Sequence, residues 1–200
     1  MLLWINGPFG GGKTITAHEL SRRLPGSVVC DPECIGYGMH RMLPPSLRSD
    51  FRDLPPWRHS VRELLWHTLR SYQGPVIVPM TLTDSAHFDE IVGALRADGA
   101  DVRHFALLAE PGTVLKRIRE RSWPLGLKND RWAVDHLERC LATLHQPEFA
   151  QHVHTDDRSV AEVADAIAAS AGLAMAPSAD GPVRDWLRRK ATAVRHIRFG

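Results

Sequence analysis

Apolar positions along this chain fall into two alternating patterns. Short apolar runs stand at Leu2 to Ile5, Val28 to Cys30, Val76 to Val78 and Val102 to Ala109, with a weaker one at His152 to Thr155. Unbroken runs of this length are what a strand covered on both faces requires. Between them, apolar residues recur every three or four positions, the period of a helix with one buried face. The pattern predicts a helix over Lys13 to Leu24, stopped by Pro25-Gly26, and another carrying Val61, Leu64, Leu65, Leu69 and Tyr72. A third has Phe88, Ile91, Val92 and Leu95 on one side. Residues 111 to 121 and Arg131 to Leu144 make two more. Ser159 and Glu162 have capping-box spacing ahead of the stripe Val160, Val163, Ala164, Ile167, Ala168 and Ala171. Residues 34 to 58, rich in proline, arginine and methionine, are weakly periodic and read as short helices and loops over an open face. Pro177 to Pro182 reads as a linker, with a last helix from Val183.

Strands alternating with helical crossovers specify an α/β fold with a five-stranded parallel sheet and helices on both faces. There is no internal repeat. At 200 residues the chain is one domain, residues 1–175, with 176–200 as a linker and a basic amphipathic helix.

Four glycines crowd the crossover from the first strand to the first helix. Gly7-Pro8-Phe9-Gly10-Gly11-Gly12-Lys13-Thr14 fits G-x-x-x-x-G-K-[ST] in full, with a strand before it and a helix after. Glycine loses more freedom on folding than any other residue, so the cluster needs a reason. A triphosphate supplies one: backbone N–H groups converge on it, and side chains would block that approach. The positive end of the following helix adds attraction. Lys13 would reach the β and γ phosphates, and the Thr14 hydroxyl would ligate Mg²⁺. ATP with Mg²⁺ is therefore the expected cofactor pair.

The other crossovers narrow the class. A GTPase or motor ATPase usually ends its third strand in an aspartate. Here the strand ends Pro79-Met80-Thr81, with no carboxylate before Asp84. The acids follow the second strand instead, at Asp31 and Glu33. Asp31 could take a proton from a substrate hydroxyl or hold the metal through water. It could equally be a turn former before Pro32. Arg117 and Arg121 form an i, i+4 pair, and Lys128 and Arg131 follow. Residues 117–132 read either as a lid that brings arginines onto a transferred phosphoryl group or as a solvated charged face. The helical stretch 34–72 would be the acceptor side.

Charge and cysteine usage exclude other classes. Net charge is +2, and from residue 180 onward six Arg or Lys stand against two Asp, so the excess is in the tail. The bulk of the chain is not built for nucleic acid. Three cysteines (Cys30, Cys34, Cys140) make no disulfide framework, no apolar stretch reaches membrane-span length, and the chain reads as cytoplasmic. The tail helix over 183–198 could lie on an anionic membrane surface or pack on the domain. His152 and His154 share a strand face and are expected to be ordinary, partly buried side chains. They lack the further ligands of a zinc site.

Beyond the phosphate loop, the segments "WINGPFGGGKT", "VVCDPECIGYG", "DLPPWR", "VIVPMT", "LKRIRER" followed by "DHLERC", and "HTDDRSVAEVADAIA" span the chain in order. Through them it resembles the tunicamycin-resistance ATP-binding proteins of bacteria, within the nucleoside-kinase-like P-loop superfamily. The resemblance implies ATP binding through Gly7 to Thr14 and a role against tunicamycin, a nucleoside-like, lipid-bearing antibiotic. It also implies a place for Asp31 like that of the base in antibiotic phosphotransferases. Asp156 and Asp157 would lie along the adenine, and Trp57 and Arg58, matching "PxWR", on the acceptor side. The expected activity is phosphate transfer to a hydroxyl of a nucleoside-like small molecule. Drug sequestration without chemistry and a housekeeping small-molecule kinase are the alternatives.

Overall fold

The computed structural model describes residues 1–122 and 130–178, with the backbone alone at 121, 122 and 130–135. The strands are β1 (Leu2–Asn6), β2 (Val28–Val29), β3 (Val76–Pro79), β4 (Val102–Leu108) and β5 (His152–His154). They form one parallel sheet in the order β2-β3-β1-β4-β5. Because all five run the same way, every crossover that leaves a C-terminal strand end emerges on one edge. That edge receives the glycine loop, Asp31, Thr81, Glu110 and Asp156.

The apolar runs divide between the two faces with period two. Leu2, Trp4, Val76, Val78 and Val102 face one layer, and Leu3, Ile5, Ile77, Phe105 and Leu107 the other. The second layer is α1 (Lys13–Arg23) beside α8 (Val160–Ser170), whose Ala17, Leu20, Ala164, Ile167 and Ala168 meet the sheet. Buried Arg23 joins the two helices, donating to Asp165 at 2.5 Å and to the Ala176 carbonyl at 2.7 Å. The capping box of Ser159 and Glu162 is formed at the start of α8.

The first layer holds α3 (Pro55–Ser71), α6 (Pro111–Ser122), α7 (Asp130–Leu144) and a composite helix. That composite is α4 (Ser85–Phe88), a π-helical turn (Asp89–Gly93) and α5 (Ala94–Ala97), end to end. The widened turn still buries Ile91 and Val92, so the apolar stripe is kept while the backbone departs from the regular pattern. Helix α3 begins earlier than its apolar period shows because Pro55 and Pro56 occupy its first turn, where a missing N–H costs nothing. The weakly periodic stretch before it forms α2 (Glu33–Met42) and two single 3₁₀ turns, Pro45–Leu47 and Phe51–Asp53.

One expectation is corrected. His152 and His154 are exposed, with only Val153 between them buried, because β5 is an edge strand of three residues. No helix among the described residues is long and apolar enough to cross a membrane. The helix expected from Val183 lies outside the described residues.

Candidate active site

The loop between β1 and α1 is held in shape by its own backbone and by three neighbours. Gly10 and Gly12 adopt φ of +77° and +94°, which side chains rarely tolerate. A Cβ on Gly10 would also lie 2.6 Å from Ile118 Cγ1 of α6. Gly11 donates its N–H to the Pro8 carbonyl at 2.9 Å, and Lys13 Nζ donates to the same oxygen at 3.0 Å. The Thr81 hydroxyl donates to the Gly7 carbonyl at 2.7 Å, and the Asn6 side chain accepts from the Gly7 N–H at 2.9 Å.

The mouth of α1 is suited to an anion. Its N-cap is Gly12, which has no side-chain oxygen to occupy the first amides, and no acid stands in the first turn. Those amides have no partner within a helix by geometry alone, so the positive end of α1 faces the loop it closes. This arrangement fits a polyphosphate, and Thr14 in the first turn fits an oxygen-seeking cation such as Mg²⁺.

Asp31 follows β2, whose extension is anchored by Cys30 N–H to the Ile77 carbonyl at 2.9 Å. Its carboxylate accepts from the Glu33 N–H at 3.0 Å and so closes the turn into α2. The turn-forming role is therefore present, on the same sheet edge as the phosphate loop. Trp57 is fully buried and donates from Nε1 to the Pro32 carbonyl at 3.1 Å. It thus fixes the turn that carries Asp31. Arg58 is also buried, paired with Glu90 at 2.5 Å and donating to the Arg52 carbonyl at 2.9 Å. Both side chains therefore tie α3 to the residues that precede it and to the composite helix.

Arg117 donates to the Thr155 hydroxyl at 2.9 Å and to the Thr155 carbonyl at 2.8 Å, tying α6 to the end of β5. The Arg121 side chain lies outside the described residues. Asp156 accepts the Glu110 N–H on both carboxylate oxygens at 3.1 Å, joining the loops after β4 and β5. Slight burial opposes ionisation of Asp156, but bonds from Thr113 and Glu110 outweigh it and hold its pKa below the ordinary carboxylate value. Asp157 is exposed at the tip of that turn with φ +53°, a conformation aspartate tolerates.

Two site neighbours were not visible in the sequence. Arg52, from the 3₁₀ turn Phe51–Asp53, forks onto Asp50 and reaches the Thr81 carbonyl at 3.5 Å. Burial would raise the Asp50 carboxyl; Arg52 more than offsets this and lowers it. Cys140 on α7 is raised by burial, against the pull of the Lys13 and Arg52 cations nearby. The phosphate loop, the 3₁₀ turn that carries Arg52 and α7 therefore share one neighbourhood. Isolated residues in a weakly periodic segment give no signal for such a meeting; only the fold creates it. On the same side, the Phe51 ring packs over Gly36 of α2, where a Cβ would sit 2.4 Å from the ring, and against Trp57, with centroids 5.4 Å apart.

A five-stranded 2-3-1-4-5 parallel sheet with a glycine loop under its first helix defines a P-loop protein of kinase-like architecture. Residues 2–147 match the AAA domain family. The structure of the Deinococcus radiodurans tunicamycin resistance protein superposes with a TM-score of 0.74 at 34% identity, covering 88% of this chain and 99% of that one. The chain belongs to the AAA domain family and to the family of that tunicamycin resistance protein. A gluconokinase from Sinorhizobium meliloti (TM-score 0.61, 14% identity, 85% of this chain and 90% of that one) shares the fold. So does the Mycobacterium tuberculosis APS kinase in complex with AMPPNP and APS (0.59, 18%, 86% and 96%). At those identities the likeness is one of fold alone. No curated protein sequence matches the chain.

Proposed function

We propose that this protein is an ATP- and Mg²⁺-dependent phosphotransferase, working in the cytoplasm on a hydroxyl of a nucleoside-like antibiotic of the tunicamycin type. The observation that carries the reading is the open, glycine-capped mouth of α1 on the same sheet edge as Asp31. Kinship with a protein titled for tunicamycin resistance supports the choice of acceptor.

In this reading the amides of residues 7–14 hold the polyphosphate, and Lys13 exchanges the Pro8 carbonyl for phosphate oxygens. Thr14 would hold Mg²⁺, with Asp31 reaching it only through water, and the ion would supply charge neutralisation on the phosphates. The acceptor oxygen displaces ADP from the γ-phosphorus, and its proton passes to the Asp31 carboxylate. The rest is positioning and charge stabilisation by Lys13 and the arginines of 117–132. Asp156 and Asp157 border the nucleotide side, and the Trp57 and Arg58 brace keeps α2 and α3 in place around the acceptor.

Mass spectrometry of tunicamycin incubated with the protein, ATP and Mg²⁺ should show one added phosphate; unmodified drug would overturn the assignment. A second reading, sequestration of the drug without chemistry, is favoured by the turn-closing bond of Asp31. Asp31→Asn separates the two. It keeps an acceptor for the Glu33 N–H, so the turn survives while the base is lost. Phosphotransfer then disappears with ATP affinity retained, whereas a sequestering protein would still protect cells carrying the variant.

A further inference from the structure

The phosphate loop is tied at its first residue to a buried side-chain network. Asn6, wholly buried, accepts on Oδ1 from the N–H groups of Gly7 (2.9 Å) and Leu82 (3.1 Å). Its Nδ2 donates to the Leu82 carbonyl at 2.7 Å and lies 3.2 Å from His104 Nε2. The backbone partners settle which way the amide points: two N–H groups need its oxygen, and a carbonyl needs its nitrogen. Nε2 of His104 must then be the unprotonated acceptor. The other ring nitrogen agrees, since Nδ1 lies 3.3 Å from the Ala150 carbonyl and can only donate there. The ring is 3% exposed and wedged between Phe88 and Phe149, with centroids 4.9 and 6.0 Å away.

We propose that His104 is a positioning residue for the phosphate loop: its Nδ1–H tautomer, fixed by the Ala150 carbonyl, locks the Asn6 amide, and Asn6 locks Gly7 and Leu82. Every donor in this chain has one acceptor, so reversing any member sets donor against donor. The loop that follows β3 and the segment that begins β5 are thereby coupled to Gly7 through β1 and β4. Gly7 itself has φ +151°, and a Cβ there would lie 3.0 Å from the Leu107 carbonyl, so the loop starts close against β4 at a position that favours glycine.

The inference rests on the nucleotide-binding reading for its functional consequence but not for its spectroscopic one. In ¹H–¹⁵N spectra of the wild-type protein without nucleotide, His104 should show a protonated Nδ1 and a bare Nε2 at pH 7; a protonated Nε2 overturns the proposal. His104→Phe keeps the ring packing and removes the acceptor, leaving a buried amide proton unpartnered. It should weaken Mg·ADP binding on the order of 10-fold. His104→Gln, whose side-chain oxygen restores an acceptor, should recover to within about 3-fold. Unchanged ADP affinity in a folded His104→Phe overturns the proposal, as does equal loss in both variants. Absence of ADP binding by the wild type would instead sink the nucleotide reading, and the tautomer measurement would still decide the network.

Discussion

Replacing Gly10 by alanine perturbs the phosphate loop and the α6 helix at once. At φ +77° an alanine carries the left-handed penalty, about 1 kcal/mol. The new methyl would stand 2.6 Å from Ile118 Cγ1, 3.3 Å from Cδ1 and 3.4 Å from Val114 Cγ1. Ile118 is 1% exposed and β-branched on a helix, so it cannot swing away and α6 must move. Such overpacking costs about 1–3 kcal/mol, giving roughly 3 kcal/mol in all. Urea unfolding would measure it. The physical origin is testable in the same assay with Ile118→Ala, which alone costs about 2–5 kcal/mol through the cavity it leaves. In that background the Gly10 methyl occupies vacated space, and its added cost should fall to the backbone share, about 1 kcal/mol. Full additivity of the two substitutions, or a Gly10→Ala cost under about 0.5 kcal/mol, would refute the claim that α6 limits this loop.

Other outcomes follow from the same geometry. Burial, against the bond to the Ala150 carbonyl and reinforced by the Arg96 cation, lowers His104 to about 4 from the ordinary 6.5. A folded value below the unfolded one means the stability held by neutral His104 is complete above pH 6.5 and is lost as pH falls toward 4. The amount is about 3 kcal/mol, read as the difference in pH slope between wild type and His104→Gln in denaturant titrations; parallel slopes would contradict it. Gly36→Ala should destabilise α2 by about 1–3 kcal/mol, because its methyl meets the Phe51 ring, and Phe51→Leu should relieve part of the loss. Trp57→Phe removes the bond to the Pro32 carbonyl and should cost about 1–2 kcal/mol by thermal unfolding; no change in Tm would show that the bond does not brace the Asp31 turn.

The sequence carried the local features of this fold better than the meetings between them. The strand runs, the glycine loop and the capping box of α8 were readable because each depends on adjacent residues. The order 2-3-1-4-5 was not, since apolar runs do not say which neighbour they pair with. The π-helical turn at Asp89–Gly93 left no trace in the apolar stripe, because the same residues stay buried. At the site, the phosphate loop was legible in full and Asp31 in position only, its turn-closing bond being one of two roles the residues allowed. Trp57 and Arg58 were legible as a motif, but only three-dimensional packing shows both side chains buried, with Trp57 bonded to the Pro32 carbonyl and Arg58 to Glu90. Asn6 and His104 are 98 positions apart, and only the β1–β4 register, which pairs Asn6 with Ala106, brings them together.

Isothermal titration of Mg·ATP and Mg·ADP into the folded protein, with Lys13→Ala alongside, decides whether the glycine loop holds a nucleotide. Saturable heat is expected for the wild type and its loss in the variant, with Tm rising on nucleotide addition only in the former. A well-folded wild type that gives no heat with any adenine or guanine nucleotide in the presence of magnesium would contradict nucleotide binding by that loop.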